Sequence, residues 1–417
     1  MLDRHTLWRH FITSLPLQAL AIGVLATLLA RLLWLTAPAT VTALDWTVYD
    51  TWLRHRAPIA VSSALTIILR DPVSEAQFGT GPWDRAVLAQ LITTAHETGA
   101  AAIGIDHRLN HASPAHLGGA ASDALLLEAT KTAGPIVTVF DDETPLVSET
   151  AIQGHLALSP HSDHVARSLP LFVEHGSQTP PSFGLALFSL AKSQPLPRGS
   201  GETRLVNVVG NGTLADLPTI PLSTVWKAIA QQDSTSLDGW LKDKVVVILS
   251  QVPSQNLWLL PTGQSVDGMT AQLQFLNSLL TENHLCQIGP LGRAGITMVF
   301  ATLIAWCLLR FHGSISLVFA AGAVALYAAM TAAILGGLHL VLPVALPLTA
   351  ALIVRDAQAS LPATLECVRG LADEIVVVDT GSADYTRDVA RRYTHDGTAR
   401  PSGLGPLRTR PVELSGA

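Results

Sequence analysis

Two short segments concentrate side chains of the metal-binding kind: His107, His111 and His116 in one, and His161, Asp163 and His164 in the other. Zinc requires three or four convergent ligands, and a single segment usually supplies them as two histidines on one helix face with an acid nearby. Neither segment has that spacing, and Pro or Gly interrupts the loop-like sequence around each, so both read as solvated loops and no metal is expected. Cys286, Cys307 and Cys367 are far apart and form neither a disulfide framework nor a CxxC site. Trp83 and Arg85, at a helix start, are candidates for a ligand-facing edge, although Trp in that position more often anchors a core. No catalytic residue and no cofactor is assigned.

The elements that must position these residues are set first by an uneven distribution of apolar sequence. Of the 417 residues 48% are hydrophobic and only 14% charged, below the roughly 25% charged of soluble domains. The excess sits in blocks. Residues 15–35, LPLQALAIGVLATLLARLLWL, supply about the 20 residues that cross a hydrocarbon core. Arg31, near the outer end beside Trp34, can snorkel to the interface. A cleavable signal peptide competes for this segment, because Arg4 and Arg9 form a basic start and Ala37-Pro38-Ala39 resembles a cleavage site. Three later blocks, 291–311, 314–335 and 336–354, read as further spans, the last two separated at Gly336-Gly337. Arg4, Arg9, Arg310 and Arg355 place both ends of the chain in the cytoplasm by the positive-inside tendency, with Arg293 dissenting. The lipid bilayer is thus an expected partner. With a net charge of −6 and no dense Lys/Arg face, nucleic acid is not.

Between 36 and 290 the composition becomes ordinary, and β-type runs alternate with helical periodicity, the pattern of an α/β domain held outside the cytoplasm. Strands are expected at Leu65–Leu69, Ala101–Ile105, Pro135–Phe140, Leu205–Val209 and Lys244–Leu249, and helices at Trp83–Glu97 and Asp267–Leu280. The first strand, first helix and second strand make a βαβ unit. The resulting fold class is an α/β extracytoplasmic domain flanked by transmembrane helices, one before and three after.

Several ordered landmarks carry a family resemblance. Asp45-Trp46-Thr47-Val48-Tyr49-Asp50-Thr51-Trp52-Leu53-Arg54 follows the first apolar helix; Gly81-Pro82-Trp83-Asp84-Arg85 opens a helix; and Gly99-Ala100 precedes Ile103-Gly104-Ile105-Asp106. Pro181-Ser182-Phe183-Gly184-Leu185-Ala186, Asp243 to Leu249, Val266-Asp267-Gly268-Met269 and Asn277-Ser278-Leu279-Leu280 follow in order. The first 355 residues or so resemble the second class of CHASE domain, an extracellular sensory module associated with cyclases and histidine kinases. The family's acidic run after the first strand is here Arg70-Asp71-Pro72, and the glycine after its late strand is Ser250. The resemblance implies a multi-pass receptor of the bacterial inner membrane that binds a small-molecule or envelope ligand, with Trp83, Arg85 and Asp106 as candidate ligand contacts and a homodimer as a possible assembly.

After 354 the chain changes character. Val354-Arg355-Asp356-Ala357 and Asp373-Glu374-Ile375-Val376-Val377-Val378-Asp379-Thr380-Gly381-Ser382 are similar to the opening of a family-two glycosyltransferase. That resemblance implies a nucleotide-contacting role for Asp379. The metal-binding Asp-x-Asp and the acceptor half do not follow, and about fifty residues cannot bury a transferase core. Residues 355–396 are therefore read as a remnant of a truncated or fused frame, and 397–417 as a disordered tail. Three functions remain in competition: a non-enzymatic sensor, a membrane glycosyltransferase using a nucleotide sugar, and an assembly protein without a ligand.

Overall fold

A computed structural model describes residues 14–36, 38–107, 109–141, 147–197, 201–250, 256–311 and 314–351. The glycosyltransferase-like segment with Asp379, the tail and Cys367 lie outside the described residues. The described residues form two compact units.

One unit draws on the described residues of 14–45, 290–326 and 343–351. Helix Leu15–Thr36 packs along helix Pro290–Arg310, and both are long and apolar enough to cross a membrane; Ala321–Gly337 is a shorter apolar segment. The seam uses small residues, since Ala19, Gly23, Ala26 and Ala30 are the buried positions of the first helix. A Cβ on Gly23 would lie 2.8 Å from the Thr302 backbone nitrogen, so only glycine permits this approach. Towards the end of the first helix, Arg31 lies 4.7 Å over the Trp34 ring.

The second unit comprises Trp46–Gly289 and Tyr327–Leu342. Its strands, in chain order, are β1 Leu65–Leu69, β2 Ala102–Ile105, β3 Val137–Val139, β4 Ile152–Gly154, β5 Ser159–Pro160, β6 Ala166–Pro170, β7 Thr203–Leu205, β8 Thr219–Pro221, β9 Val245–Leu249, β10 Leu257–Leu259, β11 Ser265–Asp267, β12 Cys286–Gln287 and β13 Leu340–Val341. Six form a wholly parallel sheet in the order β4-β3-β2-β9-β1-β8. Because successive side chains alternate faces, Ile68, Val246 and Ile248 enter one core with helices Arg85–Glu97, Gly119–Thr132, Leu222–Ala230 and Ser234–Leu241. Ile67, Val245, Val247 and Leu249 enter the other, against Phe183–Ala191 and Gly268–Leu280. Burial on both faces explains why these strands are continuous apolar runs.

The expected βαβ unit forms with its strands parallel, β9 lying between them. Two expectations change. The strand expected at Leu205–Val209 is only the end of β7, in a separate antiparallel sheet β5-β6-β7. Residues beyond it leave the ladder because side chains take over their hydrogen bonds: Val209 N donates to Gln274 Oε1 at 2.7 Å, and Val208 O accepts from Arg56 Nη2 at 2.7 Å. Finally, the glycine pair at 336–337 does not end a helix. Helix Ser314–Leu338 runs through it, the chain turns at His339 (φ +53°), β13 pairs with β12, and helix resumes at Ala345. Glycine is tolerated inside an apolar helix whose backbone groups satisfy one another, whereas Pro343 lacks a donor.

Helix Pro38–His55 holds the antiparallel sheet through charge. Arg167 on β6 is 2% exposed; its Nε and Nη2 donate to the two Asp50 oxygens at 2.8 and 2.7 Å, and Nη1 and Nη2 donate to Asp163 at 2.9 and 2.6 Å. The guanidinium also lies 5.2 Å over the Trp46 ring. Arg54 Nε adds a 2.7 Å bond to Pro261 O. The one guanidinium gives each carboxylate a pair of donors, and removing it strands the buried Asp50. Arg167→Met is therefore expected to cost about 3–5 kcal/mol by leaving Asp50 buried and unpaired. Asp163, whose side chain is 47% exposed, should cost about 1 kcal/mol or less when changed to Asn. Chemical denaturation of the purified chain would compare them, and equal losses would refute this division of roles.

Candidate functional site

The carboxyl ends of the parallel strands open into a cleft of about 1400 Å³. Each strand delivers its next residue there: β1 is followed by Arg70, β2 by Asp106 and His107, β3 by Phe140, β4 by His155 and β9 by Ser250. From β1 the chain runs one way to β2 and returns on the other side as β8. Open α/β sheets bind ligands at the carboxyl edge beside such a reversal.

The three residues singled out in the sequence all line this cleft, and all are also committed within the fold. Trp83 donates its indole N–H to Gly79 O at 2.6 Å and packs 5.2 Å from Phe78, with the Arg70 guanidinium 4.4 Å over its ring. It is thus an anchor as well as a wall. Arg85, the first residue of its helix, pairs with Asp123 at 2.6 Å and donates to His111 O, which ties the loop after β2 to helix Gly119–Thr132. Asp106 accepts from Ser250 N at 2.7 Å and from Ser250 Oγ at 3.1 Å, and His107 Nδ1 is 3.1 Å from its carboxylate. Ser250 thus supplies a hydroxyl to the carboxylate across the β2–β9 pair.

The segment after β1 is equally ordered. Arg70 donates to Gly79 O at 3.0 Å and Gly81 O at 3.1 Å, and lies 3.0 Å from Glu75. Asp71 caps helix Pro72–Phe78 and accepts from Ser223 N and Oγ at 2.9 and 2.8 Å. Burial opposes its charge, but these donors outweigh it and hold its carboxyl below the usual range.

The histidine segments behave as side chains of the fold. Among the described residues, no three His, Cys, Asp or Glu converge as a metal site. His161 packs 4.4 Å from Trp46, and hydrogen bonds from Arg167 hold the Asp163 carboxyl below its ordinary pKa. Sequence reasoning missed Arg70, Phe140, His155 and Trp258 as cleft residues. The available signal was position, since each of the first three directly follows a parallel strand.

The CHASE2 domain family model matches residues 23–310, more than half of the chain. The chain belongs to the CHASE2 family. No curated protein and no solved structure matches it. CHASE2 domains are extracellular sensor domains, and the family landmarks acquire physical roles here. Within the Asp45 to Arg54 segment, Trp46, Asp50 and Arg54 hold the antiparallel sheet and the β10–β11 connection. Asp267 caps helix Gly268–Leu280 by accepting from Thr270 N at 2.7 Å, and Asn277 bonds Ser62 N at 2.8 Å and Ala60 O at 3.1 Å.

His155 gives this CHASE2 cleft a pH signature. Its Nδ1 accepts from Ala157 N at 3.2 Å, and burial lowers its pKa to about 4, against the backbone carbonyls of Leu171 and Pro170. With the folded pKa below the unfolded one near 6.5, the unfolded chain binds more protons between these values, so this contribution to stability is complete above about pH 6.5 and is lost as pH falls through 4. The limit is about 3 kcal/mol. Melting temperature measured from pH 7 to 4 should fall with the parent and fall less with His155→Gln; parallel curves would refute the assignment.

Proposed function

We propose that this CHASE2 protein is a multi-pass receptor of the bacterial inner membrane whose α/β domain, outside the cytoplasm, binds a small-molecule or envelope ligand in the cleft and passes a displacement to the membrane helices. The observation carrying this reading is the bonding of helix Pro38–His55. Its residue Asp50 is clamped by Arg167 of β6, while Asp45 on the same helix accepts from Val344 N and Ala345 N at 2.6 and 2.7 Å, at the start of helix Ala345–Ala351. A ligand that favours one arrangement of β6 then changes the energy of that helix, which is all a receptor requires.

Helices Leu15–Thr36 and Pro290–Arg310 support anchoring by length and apolarity. The pairing of Cys286 with Leu340 and Gln287 with Val341 supports a return of the chain to the outer side between helices Ser314–Leu338 and Ala345–Ala351. The bilayer then covers the exposed apolar side chains Leu28, Leu32, Val299 and Val318.

Two measurements test these parts separately. An alkaline phosphatase reporter fused after Arg355 should be inactive and one inserted near Gly199 active; activity at both sites or neither would refute the topology. For transmission, a bulky maleimide adduct on Thr80→Cys, in a background with the native cysteines replaced by Ser, should alter amide hydrogen exchange along helix Pro38–His55. Unchanged exchange with full labelling would refute coupling between cleft and helix.

A further inference from the structure

The cleft treats its own charges in a consistent way. Arg70 is paired with Glu75 and bonded to two carbonyls, and Arg85 is paired with Asp123 and bonded to a third. Asp84 and Asp267 cap helices Arg85–Glu97 and Gly268–Leu280, where the helix N-terminus offsets a carboxylate. Asp106 takes both donors of Ser250 and lies against His107. His155, buried with a depressed pKa, is neutral at pH 7. Each charged group lining the cavity among the described residues thus has its compensation inside the fold. A charged ligand entering the cavity would lose hydration and find a counter-charge only by breaking one of these pairs, which is costly when the stranded partner is buried.

What the walls do offer is apolar and aromatic surface. Phe140, Leu156, Trp258 and Met269 line the cavity together with Trp83. Phe140 is held edge-on to His175 at 5.4 Å, and Trp258 sits on the two-stranded β10–β11 hairpin opposite Val266. Aromatic walls whose charged groups are compensated within the fold suit a ligand that brings a flat face and no formal charge, and the buried Nε2 of His155 leaves room for one neutral hydrogen bond.

We propose that the ligand class of this cleft is an uncharged molecule with an aromatic or other flat ring face, seated against Trp258 and Phe140, and that both anionic and cationic analogues of the same body are rejected. The inference rests on the receptor reading above and adds the chemistry of what the receptor takes.

Indole, indole-3-acetate and tryptamine share one ring body and are neutral, anionic and cationic at pH 7, so they separate shape from charge. Binding of each to the full chain in lipid nanodiscs would be measured by calorimetry against empty nanodiscs. Saturable binding of indole is expected, with both charged analogues at least tenfold weaker. Trp258→Ala should weaken indole at least fivefold, while Trp258→Phe should retain it. Trp258→Glu, which places a carboxylate without a counter-charge on the wall, should move the preference to tryptamine by at least tenfold, and a melting curve like that of the parent would establish that each variant is folded. Binding of either charged analogue to the parent as tightly as indole would overturn the charge assignment while leaving the cleft as the ligand site. Absence of saturable binding for all three up to 10 mM, on the scale of weak fragment affinities, would overturn the flat-ring ligand class, while the receptor reading stands or falls on the labelling experiment above.

Discussion

A guanidinium withdrawn almost completely from water sets the terms for this fold. Arg167 is tolerable inside the protein only because Asp50 meets it in parallel two-point geometry and Asp163 completes its donors. Hydrophobic packing alone would let helix Pro38–His55 slide on the antiparallel sheet at small cost, since apolar contacts carry no direction. A two-point ion pair does not permit that. The family segment from Asp45 to Arg54 can accordingly be read as a docking surface: Tyr49 and Leu53 contribute apolar area, Trp46 faces the cation, and Asp50 fixes the register.

The same economy operates at the carboxyl edge of the parallel sheet. Strand ends leave backbone groups and turn residues exposed, and this chain fills the edge with short local solutions: a carboxylate on each of several helix starts, an arginine folded back over a tryptophan, and a serine placed against an aspartate. These arrangements hold the cleft open by satisfying its rim. They also leave its interior chemically quiet, dominated by ring faces and aliphatic side chains.

The sequence made the central sheet legible where burial on both faces produces runs rich in β-branched residues, as in Val245 to Leu249 and Leu65 to Leu69. Long-range stitching was invisible by contrast. Nothing local to Val206–Val209 reveals that Gln274 and Arg56 will replace its strand partners, and nothing in Ser250 reveals an aspartate 144 residues earlier. The cleft candidates Trp83, Arg85 and Asp106 were found because helix starts and strand ends are recognisable punctuation. The double service of Arg85 and Asp106 as structural ties was not, because Asp123 and Ser250 become their neighbours only once the fold brings distant segments together. The break expected at Gly336-Gly337 failed for a related reason: glycine signals flexibility in water, while an apolar helix keeps its hydrogen bonds through it.

The position of β9 has a consequence for how the molecule comes into being. Among the described residues it is the ninth strand in chain order and one of the two innermost strands of the main sheet, with β1 on one side and β2 on the other. A nascent chain emerging from its N-terminus therefore makes β1 and β2 long before the strand that joins them, and for some 140 residues after β2 the edges that both present to β9 have no permanent partner, although β3 and β8 reach their other edges earlier. Sheets of such high contact order fold slowly and present sticky intermediates. Closure of the central sheet should consequently be a late event, triggered when Val245–Leu249 arrives between β1 and β2, and the growing chain should be the stage most dependent on chaperones.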